Sequence, residues 1–261
     1  MKLALVSDLH GNLEALDAVL RELDRTSPGA RLVCAGDVVG YGPDPEACIA
    51  RLQEREALCV MGNHEEMVLG RRDFSRCIHA GIVAAVWTRR QLSPVARAYL
   101  EGLPPFLLID SVVICHGDLD SADTYVSTPE RAEAALAQLH ARHPSAEVLV
   151  CGHTHHAALF NHKEGFQPVD ARAEYALTLP CVINPGSVGQ ARAAAPLASY
   201  AVLDLERRRV SFREVAYDYR TTLRKLRAAK LVAQVVLEPP QGIWRRVERY
   251  KARWARYWAE R

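Results

Sequence analysis

Short apolar runs, each closing on polar residues of metal-binding type, punctuate much of this chain. Leu3 to Ser7, Arg31 to Ala35, Leu58 to Met61, Val112 to Cys115 and Glu147 to Cys151 are rich in Val, Leu, Ile and Cys and read as buried strands. Between the first three, the apolar spacing becomes that of amphipathic helices over Asn12 to Leu23 and Pro45 to Glu56, which predicts an α/β opening with parallel strands. From Glu65 to Tyr99 the pattern is helical until Gly102-Leu103-Pro104-Pro105 stops it, so residues 65–104 are expected to form a helical insertion beside the strand ends. Further strands at Phe106 to Ile109, Cys181 to Asn184, Tyr200 to Leu205 and Val210 to Val215, with a helix over Pro129 to Arg142, imply a second sheet. Helical spacing returns over Thr221 to Leu237, breaks at Pro239-Pro240-Gln241-Gly242, and resumes with Trp244, Val247, Tyr250, Trp254 and Tyr257 on one face.

Composition adds a division of charge. The 261 residues are 49% hydrophobic and 25% charged with a net charge of +2, as expected of a soluble globular protein. From Arg220 onward, however, 12 Lys and Arg face 3 Asp and Glu, leaving residues 1–219 with a charge of −7. We therefore expect a body over 1–219 and a basic, aromatic helical extension over 220–261. The extension could hold nucleic acid, but the acidic body offers it complementary charge, so docking on the body or on a second copy is favoured. Asp8 and His10 end the first apolar run too early for a secretory leader, and no run approaches the roughly 18 residues of a membrane span. A cytoplasmic protein without a membrane role is expected. The seven cysteines are odd in number and lack CxxC spacing, so they read as buried strand residues, not disulfides or thiolate ligands.

The polar residues at the run ends are Asp8 and His10, Asp37, Asn63 and His64, His116, and His153 and His155. In α/β sheets ligands gather at carboxyl ends of strands, so these residues are expected to converge. Asp, Asn and His without thiolate suit Mn, Fe, Co or Zn, and seven candidate ligands are too many for one ion and about right for two. Two close ions clamp phosphate oxygens, which makes phosphate-ester hydrolysis the natural chemistry. His79, His140, His143, His156 and His162 read as ordinary surface or loop residues, although His79 could line the pocket. Gly186 and Gly189 are expected in a tight turn near the site.

Asp8-x-His10, Gly36-Asp37, Gly62-Asn63-His64-Glu65, His116 and Gly152-His153-x-His155 together resemble the calcineurin-like metallophosphoesterase superfamily in order and spacing. Gly36 to Pro43 and Asn184 to Gly189 resemble its small bacterial and archaeal phosphodiesterase branch. The resemblance implies a four-layer sandwich, with two facing mixed β-sheets flanked by helices, and two divalent ions, Mn favoured. Asp8, His10, Asp37 and His155 would hold one ion; Asp37, as a bridge, with Asn63, His116 and His153 would hold the other. His64 would protonate the leaving oxygen or stabilise charge on it, while a metal-bridging hydroxide attacks phosphorus.

Two departures bear on substrate. Gly40 and Tyr41 stand where other branches carry the Asp and Arg of GDxxDRG, and Met61 and Glu65 replace the Arg and Asp that often flank GNH. Losing cations weakens a dianionic monoester more than a diester, so a small phosphodiester, such as a nucleotide, is the expected substrate. A phosphomonoesterase, a nuclease and a non-catalytic nucleic-acid-binding scaffold are the alternatives.

Overall fold

Side-chain alternation along the first strand sorts the molecule into layers. In the computed structural model, which describes residues 1–75, 78–167, 169–192 and 196–231, strand β1 (Lys2–Val6) sends alternate residues into different cores. Ala4 and Val6 share an apolar cluster with Leu16, Val19 and Leu20 of helix α1 (Leu13–Thr26). Leu3 and Leu5 share another with Ile114, Val148, Val150 and Ile183, which belong to a second sheet. A third cluster joins the far side of that sheet, through Val113, Leu149 and Val182, to Ala132, Leu136 and Leu139 of helix α6 (Pro129–Arg142). Helix, sheet, sheet and helix thus form the four layers expected.

The first sheet runs β3 (Leu58–Cys59), β2 (Arg31–Cys34), β1, β11 (Leu197–Asp204), β12 (Arg209–Ala216), β9 (Glu174–Ala176). Strands β1 to β3 are parallel, whereas β11 returns antiparallel to β1 with Ala4 opposite Val202. The second runs β4 (Phe106–Ile109), β5 (Val112–Cys115), β6 (Val148–Val150), β10 (Cys181–Pro185), β7 (Ala157–Asn161), β8 (Gly165–Gln167), with β5, β6 and β10 parallel. The last two predicted strands therefore complete the first sheet and not the second. The insertion is helices α3 (Asn63–Leu69), α4 (His79–Gln91) and α5 (Pro94–Glu101), which carry the chain from one sheet to the other. Helix α2 (Pro45–Glu54) completes the opening.

Of the helix expected over Thr221 to Leu237, the described residues form α7 (Tyr219–Ala228), which stops where Lys230 adopts φ +56°; residues 232–237 lie outside the described residues. The aromatic face beyond it lies outside the described residues. Helix α7 packs on the body: Thr222 Oγ1 donates to Asn12 Oδ1 at 3.1 Å, and Lys225 Nζ pairs with Asp44 at 2.9 Å and Glu14 at 2.5 Å. Asn12 is also the cap of α1, accepting from Ala15 N at 3.3 Å. The cysteines at 34, 48, 59, 115, 151 and 181 are free and buried. Among the described residues no helix is long and apolar enough to cross a membrane.

Candidate metal centre

The loops that leave β1, β2, β3, β5 and β6 converge at one end of the two sheets. Asp8, His10 and His155 offer ligand atoms within 4.8 Å of one another, as do Asp37, His116 and His153, and also His10, Asp37 and His64. Asn63 joins through Oδ1, which lies 3.1 Å from His116 Nε2. All seven run-end ligand candidates and His64 are buried. Of the remaining histidines, 79, 140, 156 and 162 are exposed, and His143 packs against Phe106, so none joins the group.

Five of the candidates sit in left-handed backbone: Asp8 (φ +53°), His10 (+48°), Asp37 (+54°), His153 (+66°) and His155 (+63°). Each such residue costs on the order of 1 kcal/mol or more unless its surroundings hold it. Here they do. Asp8 N donates to Gly36 O at 3.0 Å and His10 N to Asp37 O at 2.9 Å, while Ser187 Oγ and Gly189 N both donate to Asp8 O at 2.9 Å. Asn184 Nδ2 donates to Gly152 O at 2.7 Å, so the turn after β10 braces both β1 and β6 loops.

Hydrogen bonds to carbonyls orient the imidazoles. His116 Nδ1 lies 2.7 Å from Ala35 O, His155 Nδ1 lies 2.8 Å from Gln190 O and His10 Nδ1 lies 3.3 Å from Val39 O. A carbonyl only accepts, so each Nδ1 carries a proton and Nε2 is the ring nitrogen turned inward. Those nitrogens lie close to one another and to the carboxylates. His10 Nε2 lies 3.2 Å from His155 Nε2, His155 Nε2 lies 3.1 Å from Asp8 Oδ1, and His116 Nε2 lies 3.2 Å from Asp37 Oδ2. Asp8 Oδ1 accepts no hydrogen bond. Carboxylate oxygens and ring nitrogens converging in this way are a cradle for cations, a proton or a metal ion.

The proton affinities carry the same message. Burial raises the pKa of Asp8, but His155 and His116 outweigh it and hold the carboxyl well below the usual range. Burial likewise raises Asp37, and His116 and His64 outweigh it. Burial disfavours charge on His116, yet Asp37 and Asp8 push its pKa up to about 10. Burial, together with His64 for His10 and His116 for His153, lowers the other two, His153 to about 3. The carboxylates thus favour one positive charge beside Asp37, on His116, while burial keeps His10 and His153 neutral and able to bind metal.

His64 is placed differently. Its ring lies between His10, centroids 4.7 Å apart, and Tyr41, 4.6 Å apart, and its Nδ1 has no hydrogen-bond partner. Gly40, at φ +128°, faces that nitrogen, and a Cβ there would overlap it. The position that carries Asp in other branches thus has no room for a side chain here. Reading the residues alone also missed Glu65 as a brace. Its carboxylate accepts from Asp37 N at 2.9 Å, Val39 N at 3.0 Å and Gly62 N at 2.8 Å. The legible signal was a Glu three residues into a helix, the capping-box position.

The sequence profile of the calcineurin-like phosphoesterase superfamily domain matches residues 1–208. The chain belongs to this superfamily. An uncharacterized protein of Methanocaldococcus jannaschii is 28% identical over 238 residues, covering 86% of this chain and 91% of the relative. A metallophosphoesterase structure from Sphaerobacter thermophilus superposes with TM-score 0.77 at 30% identity, covering 90% of this chain and 97% of that one. A hypothetical protein from Pyrococcus horikoshii shares the fold at TM-score 0.73 and 19% identity, covering 90% and 96% of the two chains. The superfamily depends on divalent metals, and this phosphoesterase-superfamily chain has Asp and His clusters suited to them.

Proposed function

We propose that the chain hydrolyses phosphate esters, preferentially phosphodiesters, with two divalent ions held at the strand ends. Asp8, His10, Asp37 and His155 form one ligand set; Asp37, Asn63, His116 and His153 form the other. The observation that carries this reading is the convergence of Nε2 atoms with the Asp8 and Asp37 carboxylates, fixed by Nδ1 bonds to Ala35, Gln190 and Val39. Borderline ions, Mn favoured, match that donor set. When bound, such ions place Lewis-acid charge opposite phosphate oxygens and acidify water for attack on phosphorus.

His64 supplies the remaining polar group. Burial lowers its pKa, against the pull of Asp37, and nearby cations lower it further. A neutral ring N–H that stabilises charge on the leaving oxygen therefore suits it better than full proton donation. The wall beside it suits a monoanionic diester: Tyr41, whose ring lies against His10 and His64, occupies the position of a phosphate-clamping arginine. With Mn²⁺, the full chain is expected to hydrolyse bis(p-nitrophenyl) phosphate faster than p-nitrophenyl phosphate. His64→Ala is expected to lower kcat by about 100-fold or more, the usual loss for such a donor, with metal content unchanged by elemental analysis. Loss of metal would overturn its role, and hydrolysis of neither ester with any divalent ion would leave the scaffold reading.

A further inference from the structure

Tyr125 stands over the open side of the site. His153 is the least buried of the seven ligand candidates, at 8% exposure, and the Tyr125 ring lies on its imidazole with centroids 4.1 Å apart and planes inclined by 33°. Tyr125 itself is 46% exposed. A large aromatic side chain left this open beside a polar cluster gains little from its own burial.

The chain around it is held in place. Asp118 Oδ1 accepts from Asp120 N at 2.9 Å and Ser121 N at 2.8 Å, and Arg72 pairs with Asp123 while bonding Glu66 at 2.5 Å. Glu66 lies on α3, the helix that begins with Asn63 and His64. On the other side Val126 is buried with Cys115, Ala132 and Leu136. The segment therefore presents Tyr125 from a fixed frame, backed by the imidazole, at the rim where the organic part of a phosphate ester would leave the metal-facing phosphate.

We propose that Tyr125 is a specificity-determining platform on which a planar aromatic group of the substrate stacks, which narrows the substrate class to nucleotidyl or similar aromatic phosphodiesters. This rests on the phosphodiesterase reading above. Stacking of a base on an aromatic side chain is sequence-tolerant and changes affinity by about 5- to 100-fold. It acts on binding of the non-leaving group, so it enters KM more than kcat.

The test compares two esters with the same leaving group, thymidine 5′-(p-nitrophenyl phosphate) and methyl p-nitrophenyl phosphate, using the full chain with Mn²⁺. Wild type is expected to prefer the nucleotidyl ester in kcat/KM by about tenfold or more, chiefly through KM. Tyr125→Leu is expected to bring the ratio to within about twofold, and Tyr125→Trp to preserve it. Because the ratio is taken within one enzyme, general loss of metal or fold moves both esters alike. Equal rates in wild type, or an undiminished ratio in Tyr125→Leu, would overturn the platform. If wild type hydrolyses neither ester, the phosphodiesterase reading fails and calorimetry reads stacking without turnover. Tighter binding of thymidine 5′-monophosphate than of ribose 5-phosphate, lost in Tyr125→Leu, would then sustain the platform, and equal affinities would reject it.

Discussion

Glu65 holds the site together without belonging to either ligand set. Burial and Asp37 push its pKa up to about 7 against the backbone amides of Val39 and Gly62, which with the amide of Asp37 donate to its carboxylate. A carboxylate satisfies all three donors because both its oxygens accept; a primary amide cannot, since one arm would turn N–H toward N–H. Glu65→Gln is therefore expected to cost about 1–3 kcal/mol, read as a lower urea midpoint without metal, and to weaken Mn²⁺ binding because Asp37 loses its backbone anchor. An unchanged midpoint would show that the amides find other partners. At this scale the sequence was informative about ligands and less so about what orients them. Asp, Asn and His after apolar runs have a recognisable chemistry, whereas the orienting groups of Ala35, Val39 and Gln190 are backbone carbonyls, which every residue type carries.

Elements were legible in proportion to their burial. The parallel strands β1, β2, β5, β6 and β10 are nearly all apolar because both faces are covered, and their ends were placed within a residue or two. Strands β8 and β9 have three residues each, only partly covered, and so carry no readable period; β7 begins directly after the His155-His156 turn. Helix α7 ends early for a reason absent from its apolar spacing, the left-handed Lys230, from which Leu231 N turns back to Leu226 O at 2.9 Å. Leu226 and Leu231 share a cluster with Tyr41, whose ring abuts His10 and His64. Leu226→Ala is expected to cost about 2–4 kcal/mol and, by loosening the Tyr41 backing, to lower kcat at saturating metal. Melting curves and kcat measured well below the transition would separate the two effects; a destabilised variant with full kcat would show that α7 supports the fold alone.

At the scale of the whole molecule, the proposed ligand sets draw on both sheets: Asp8, His10, Asp37 and Asn63 follow strands of the first, His116, His153 and His155 strands of the second. Divalent ions would clasp one to the other, so metal is expected to raise the melting temperature and chelation to lower it. The pH dependence has a definite sign. The metal-free value of about 10 for His116 lies above its ordinary 6.5, so the stability it contributes is full below 6.5 and lost as pH rises through about 10. Metal takes the place of that proton. Binding at pH 8 is expected to release close to one proton per chain, measured by calorimetry in buffers of different ionisation enthalpy, with affinity rising over that interval. No proton release would mean that His116 is already neutral. The acidic body and basic end read from composition meet in the fold at Lys225, between Glu14 and Asp44.

The five left-handed positions have a consequence for descent. Glycine would relieve the backbone at Asp8, His10, Asp37, His153 and His155, but it would remove the donor atom each time. On the proposed reading, selection for metal binding is what keeps such unfavourable choices in place. A copy of this chain released from that selection would be expected to drift first at these five codons, toward glycine or asparagine, while its strands stayed intact.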